Sequence, residues 1–210
     1  KDITDKVLNT MKKYHNICKY IHLPVQSGSN RVLQLMNRTY TREWYLGRVN
    51  RIKEIMPDCA ISSDIIAGFC TEEEQDHLET LDIMKKTAYE YSYMFAYSER
   101  PGTLAAKRYK DDVPEEIKKR RLDEIVQLQN QLSLESNKKD IGKVFEVLIE
   151  GDSKKSHLQW MGRNSQYKVM VFDKADPTLK PGSYVHVQAL ECTQGTLMGK
   201  IVDASQTSNV

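Results

Sequence analysis

Two short stretches carry side chains suited to holding a ligand. Gln26-Ser27-Gly28-Ser29 is a polar turn between a β-prone run and a helical one. Backbone N–H groups at such a helix start attract anions or ligand hydroxyls, and barrel active sites sit at this end of parallel strands. The same turn reads equally well as a capped strand-to-helix connection with no ligand. Asp64 is the acidic residue of the otherwise apolar run Asp64-Ile65-Ile66-Ala67-Gly68. A carboxylate in such a setting needs hydrogen-bond partners, so Asp64 either caps a neighbouring loop or binds ligand hydroxyls. Gly68 has no side chain to keep a flat ligand off the backbone. Arg38, in Met36-Asn37-Arg38-Thr39-Tyr40, has the position of a clamp for a carboxylate or phosphate, although a plain surface arginine fits the same pattern.

Other reactive residue types give weaker signals. Cys18, Cys59, Cys70 and Cys192 form no C-x-x-C pair, which argues against a disulfide scaffold or structural zinc and points to core positions in a reducing compartment. The five histidines show no ligand spacing, so no metal site is expected. Trp160, Arg163, Tyr167, Lys168 and Lys200 interleave rings and cations on short strands. That is the composition of a platform for single-stranded RNA, where rings stack on bases and cations track phosphates; the core aromatics of any small barrel give it too. The Lys118-Lys119-Arg120-Arg121 run either touches RNA or is a solvated helix face, the commoner case. Glu72-Glu73-Glu74 fits a helix N-terminus and nothing more.

These residues need elements to position them. Over the first hundred residues, helix-like and strand-like segments alternate. Strands are expected at Cys18–Leu23, Ala60–Phe69 (buried on both faces) and Glu90–Tyr97. Helices are expected at Ile3–Tyr14, Arg31–Met36, Thr41–Ile55 and Glu72–Lys86. Strands spaced by helices in this way make right-handed βαβ units and a parallel sheet. Three strands are too few for a self-sufficient barrel, so residues 1–112 read as part of one. Residues 113–138 read as a connecting amphipathic helix with Ile117, Leu122, Ile125, Leu128 and Leu132 on its apolar stripe. From 139 to 203 five short strands separated by Gly, Pro, Asn and Asp turns fit a small closed β-barrel of OB-like shape, and residues 204–210 read as a disordered tail. The fold class is thus α/β followed by all-β.

Composition sets outer bounds. The chain has 210 residues, 31 basic against 29 acidic, for a net charge of +2. That excludes a globally basic nucleic-acid coat but not a local patch. No apolar run approaches the roughly 18 residues of a membrane span, and no signal-peptide pattern is present, so a cytoplasmic location and no membrane partner are expected. The chain opens on Lys1 without an initiator methionine, as expected of a processed product or a piece of a longer protein.

The run His22–Thr41 (HLPVQSGSNRVLQLMNRTYT), Ser62–Leu81 (SSDIIAGFCTEEEQDHLETL) and Phe95–Ala106 (FAYSERPGTLAA) resemble the MiaB-type tRNA methylthiotransferases of the radical S-adenosylmethionine (SAM) enzymes. The Asp111–Leu122 segment and the C-terminal barrel, similar to a TRAM RNA-binding domain, extend the resemblance along the chain. In place of the family's usual Pro-Gly after Gly-Phe stand Cys70-Thr71. The family's C-x-x-x-C-x-x-C loop is absent, as is the domain whose three cysteines hold a second cluster. The resemblance therefore implies the second half of a TIM-like radical SAM barrel followed by TRAM.

The parent enzyme would use SAM and two [4Fe-4S] clusters, whose ligands lie outside this chain. One cluster would cleave SAM to a 5′-deoxyadenosyl radical. A methylthio group would then be inserted at carbon 2 of an isopentenylated adenosine beside the tRNA anticodon. This chain alone would be inactive. Carried over onto matching positions, Gln26 and Ser27 face SAM, Arg38 meets its carboxylate, and Asp64, Ile66 and Gly68 cradle it. Ala96 and Tyr97 offer backbone groups to adenine. Arg163, Tyr167 and Lys168 are expected to contact the anticodon stem-loop from an exposed turn. Alternatives are a methylthiotransferase acting on a ribosomal protein, or a stand-alone RNA-binding module. An unpaired sheet edge at Lys19–Leu23 would favour self-association.

Overall fold

The structure, a computed structural model, describes residues 3–203; the tail expected at 204–210 lies outside them. The chain divides into two compact units, residues 1–8 with 21–132, and residues 9–20 with 133–210.

β1 (Tyr20–His22), β2 (Ala60–Ala67) and β3 (Tyr91–Ala96) form a sheet in the order β1-β2-β3, which belongs to the first unit except for Tyr20. β2 and β3 are parallel, with Asp64 beside Tyr93 and Ile66 beside Phe95. The chain after β1 follows β2 in the same sense: Leu23 N–H donates to Ser62 O, and Gln26 bridges Ile65. The helices are α1 (Asp5–Lys13), α2 (Asn30–Leu35), α3 (Arg42–Ile55), α4 (Glu74–Thr87), α5 (Leu104–Arg108) and α6 (Glu115–Lys138). α2, α3 and α5 start at Ser29, Thr41 and Thr103, whose hydroxyls accept the orphan N–H groups of the first turn. The short α5 escaped the sequence reading, although Pro101-Gly102-Thr103 carries its cap signal.

β2 is buried on both faces over residues 60–63, as expected, and opens on one face beyond them. Ile61, Ser63, Ile65 and Ala67 are buried, whereas Asp64 and Ile66 on the other face are half-buried. On that same face of β3, Tyr91, Tyr93 and Phe95 are exposed by 50%, 42% and 54%. The core lies on the opposite side, where Val32, Leu33, Tyr45, Val49, Ile52, Ile65, Ile83, Met84 and Tyr89 are all but inaccessible. Its polar atoms are satisfied in series: Tyr89 OH donates to Tyr45 OH at 2.8 Å, and Tyr45 OH to Leu23 O at 2.7 Å.

The charged runs are structural. Lys118 and Arg121 are 1% and 4% exposed, not solvated as expected. Lys118 Nζ pairs with Asp111 at 2.7 Å and Glu115 at 2.8 Å. Arg121 pairs with Glu72 at 3.1 Å, and Arg120 with Glu74 and Glu124. Glu72 is therefore a buried partner of α6 and more than part of a helix start; burial raises its carboxyl above the ordinary range despite Arg121. Asp76 accepts from Ser29 Oγ at 2.6 Å, from Glu73 N–H at 2.8 Å and from Arg31. Burial pushes Asp76 up, but these donors outweigh it and hold the carboxyl below its usual range.

The second unit is a closed barrel. β4 (Val144–Ser153), β5 (Ser156–Asn164), β6 (Val169–Asp173), β8 (Leu197–Ile201) and β7 (Tyr184–Cys192) follow one another around it. The expected five strands are all present. Its core comprises Val147, Ile149, Trp160, Met170, Phe172, Val185, Val187, Ala189 and Leu197. Closure leaves no strand edge in this barrel.

Two stability predictions follow from the first unit. Thr71 holds φ +62° where a β-branched residue is strained, at the position where the resembled family has glycine. Thr71→Gly keeps the backbone bonds to Asp112 and Arg31 and should raise stability by about 1 kcal/mol in urea denaturation. Because its folded pKa is depressed, Asp76 contributes stability that is present above the unfolded carboxylate value of roughly 3.9 and is lost as pH falls through the folded value. Asp76→Asn should cost about 2 kcal/mol at neutral pH and leave a shallower stability loss below about pH 4. An acid titration followed by circular dichroism checks both.

Candidate functional site

A cavity of about 770 Å³ opens at the carboxyl ends of the three strands. Gln26, Arg38, Asp64, Ile66, Ala96 and Tyr97 line it, together with Leu35, Met36, Asn37, Phe69, Phe95, Ser98, Arg100 and Thr103 to Ala105. Six of the eight residues singled out for a cofactor therefore share one wall. The size is ordinary for a small-molecule pocket, and so is the lining of apolar surface with a few convergent polar groups.

Gln26 is held at φ +70° by two backbone bonds, its N–H to Asp64 O and its O from Ile66 N–H, both 2.9 Å. Its side-chain Nε2 lies 3.5 Å from Asp64 Oδ2. Asp64 Oδ1 lies 3.3 Å from His22 Nε2, and His22 Nδ1 lies 2.8 Å from Ser62 Oγ. The carboxylate is thus oriented from below and remains 31% exposed towards the cavity. Arg38 is exposed at the rim, and its N–H closes on Leu33 O at 2.9 Å. Tyr97 N–H donates to Ala67 O at 2.8 Å, and its ring packs edge-on to Phe69. Burial first, then the neighbouring Cys70 thiol, push the Tyr97 hydroxyl well above its ordinary value, so the phenol stays neutral.

Two of the eight lie elsewhere. Ser27 is fully buried with its Oγ 3.4 Å from Thr80 Oγ1, and Gly28 N–H donates to the same hydroxyl at 2.9 Å. A Cβ on Gly28 would stand 2.3 Å from Glu79 O, so the glycine permits the turn to pack on α4. Of the four turn residues only Gln26 reaches the cavity, and the remainder is a capped connection. Gly68, at φ +72°, faces the Lys118 stem: a Cβ there would lie 2.4 Å from Lys118 Cγ. The space expected for a flat ligand is filled by this side chain. The sequence reading missed Phe69, which follows β2, Phe95 on β3, and Arg100 and Thr103 to Ala105, which α5 and its preceding turn bring in.

The expected RNA contacts separate in the second unit. Tyr167 is exposed, with the Arg163 guanidinium 4.7 Å above its ring. Arg163 also pairs with Glu150. Lys168 is not an exposed turn residue: its side chain is 10% exposed and pairs with Asp140 at 2.5 Å and Ser136 Oγ at 2.8 Å. Among the described residues, no three His, Cys, Asp or Glu side chains gather where they could hold a metal ion.

An open α/β unit with a cavity at its strand ends, followed by a closed five-stranded barrel, defines a class, and comparison with known proteins agrees. Residues 2–84 match the Radical SAM superfamily, and residues 138–202 match the TRAM domain. The two matches follow one another along the chain in the expected order, and its resemblance to the C-terminal portion of MiaB-type tRNA methylthiotransferases is borne out. It is 63% identical over 202 residues to a tRNA-2-methylthio-N(6)-dimethylallyladenosine synthase of Amoebophilus asiaticus, covering 96% of this chain and 41% of the relative. To the protein of that name from Phocaeicola vulgatus it is 54% identical, covering 96% and 44%. The chain spans about two fifths of the length of these curated relatives. In fold it is similar to coproporphyrinogen III oxidase (HemN) from Escherichia coli, a radical SAM enzyme, with TM-score 0.54 and 19% identity, covering 90% of this chain and 44% of that one.

The two basic candidates of the barrel should behave differently when removed. Lys168→Ala leaves the buried Asp140 with only the more exposed Lys143 as its cation and should cost about 2 kcal/mol. Arg163→Ala breaks a half-exposed pair and should cost about 1 kcal/mol or less. Equal urea midpoints for the two variants would contradict this geometry.

Proposed function

We propose that this chain is the SAM-holding and RNA-holding part of a methylthiotransferase acting at carbon 2 of an isopentenylated adenosine beside the tRNA anticodon. The cavity at the strand ends carries the reading, because it gathers six residues expected to hold SAM. SAM fits the donor set. The Asp64 carboxylate suits ribose hydroxyls, Arg38 suits the methionine carboxylate, and Ile66 and Phe69 offer apolar surface to adenine. Bound there, SAM would supply the methyl group and the radical-generating bond of this superfamily's chemistry. The chain's own residues orient it and keep water from its apolar end.

The two clusters of the whole protein are assigned to segments outside residues 3–203, so this chain alone is proposed to be inactive. The TRAM unit is proposed to hold the anticodon stem-loop, in a cytoplasmic protein. Among the described residues no helix is long and apolar enough to cross a membrane. The outer edges of β1 and β3, with exposed Tyr91, Tyr93 and Phe95, support self-association of the isolated chain.

Calorimetric titration with SAM tests the reading. Without a cluster to ligate the methionine end, binding should be weaker than micromolar. Asp64→Asn should weaken it about tenfold further, by loss of a charged hydrogen-bond acceptor. Submicromolar affinity, or indifference to Asp64→Asn, would refute the assignment.

A further inference from the structure

The outer surface of a closed barrel needs no apolar side chains, yet one strip of this barrel has them. Alternation along β5, β6 and β8 sends Trp160, Met170, Phe172 and Leu197 into the core, and Met161, Val171 and Met198 to the outside. Register aligns the outer three: Met161 pairs with Val171, and Val171 with Met198. They form the half-buried floor of a groove of about 640 Å³. Lys154 and Lys155, which make the two-residue turn between β4 and β5, flank it together with Arg163, and the only acidic residue in its lining is Glu191.

The geometry points to this groove as the seat of an unpaired RNA base and its adjoining phosphates, an inference that rests on the RNA reading above. The charge balance of the rim favours a polyanion. Met161, Val171 and Met198, with Val169 beside them on β6 and Leu190 on β7, make an apolar floor that suits the face of a base and is too small for a large apolar protein interface. Methionine is flexible and polarizable, so Met161 and Met198 can pack on bases of different size without selecting one. Cations at one wall and polar Gln159, Thr193 and Thr196 around the floor leave the sugar–phosphate chain near the lysines. Contact by Tyr167 and Lys168, as expected from the sequence, is replaced here by a different set of residues. Arg163 alone is common to both.

The experiment measures binding of a fluorescein-labelled RNA hairpin with an unpaired loop, and of a fully paired duplex, by anisotropy over a range of salt. Four side chains are changed: Lys154→Ala with Lys155→Ala, and separately Met161→Gln with Met198→Gln. All four lie on the outer surface, and unchanged thermal melting confirms that the barrel is intact. The lysine pair should reduce the slope of log affinity against log salt by about 1.4, at roughly 0.7 per single-strand phosphate contact. The methionine pair should weaken hairpin binding about tenfold with the slope unchanged, and leave duplex binding as it was. If hairpin binding survives the methionine changes, the groove is not the base site while the RNA reading stands. If the unaltered chain binds neither RNA, the RNA reading fails and the groove assignment with it.

Discussion

The ammonium of Lys118 is almost wholly removed from water, and the first unit is arranged around that fact. Burying an unpaired cation would cost several kcal/mol, so Asp111 and Glu115 must stand where they do, one before α6 and one in its first turn. Burial alone would lower the lysine's pKa, but the two carboxylates outweigh it and the net shift is upward, so it stays charged. With its head fixed, the stem of Lys118 lies against Gly68, where only a residue without Cβ fits, and its ammonium sits 5.7 Å from the centre of the Tyr97 ring. Tyr97 in turn lines the cavity. The next turn of α6 repeats the arrangement: Arg121 is bound to Glu72, which also accepts the Gly68 N–H at 2.8 Å. Both ends of the β2 exit loop are thus anchored to α6 by buried charge, and the floor of the cavity inherits its position from them.

This dependence explains why the sequence was legible in some places and not in others. Strands and long helices were readable because periodicity and caps are local: Thr41 before α3, Pro114 before α6, the alternation that closes the β4–β8 barrel. The cavity wall at Gln26 and Asp64 was readable because polar residues at the carboxyl ends of parallel strands have few other places to point, and Ile66 was readable through the resemblance alone. Gly68 and Lys168 were misread because their partners are distant in sequence. Nothing near Gly68 announces that a lysine 50 residues later, Lys118, will occupy the space above it. Likewise Lys168 sits between Tyr167 and a strand, as an RNA contact would, but Asp140 and Ser136 reach it from another segment. Charge runs were the poorest guide, since a basic stretch on a helix looks the same whether its partners are water or carboxylates.

The two units solve the problem of sheet edges differently. The barrel closes, and its outer surface is free to carry binding groups without risk to the fold. The three-stranded sheet stays open, and its exposed aromatic face on β3 lies on the same side as Asp64 and Ile66. One face of that sheet therefore packs into the core, and the other lines the cavity at its carboxyl end through Asp64 and Ile66.

Backbone strain collects where that second face ends. Gln26, Gly68 and Thr71 all have positive φ, and all lie where β1 or β2 hands the chain to a loop. A strand that stopped with relaxed geometry would carry its chain straight on past the cavity; a left-handed residue turns it aside and leaves the neighbouring side chain facing inward. Each of these residues is held by fixed partners: Gln26 by Asp64 and Ile66, Gly68 by Glu72, Thr71 by Asp112 and Arg31. Only the first keeps its side chain in the cavity. At Gln26 the unfavourable backbone is thus tied to a side chain that lines the cavity, whereas at Thr71 the same conformation serves the joint to α6. A glycine would serve as well at Thr71 but not at Gln26, because relief of strain there would remove the amide that reaches Asp64.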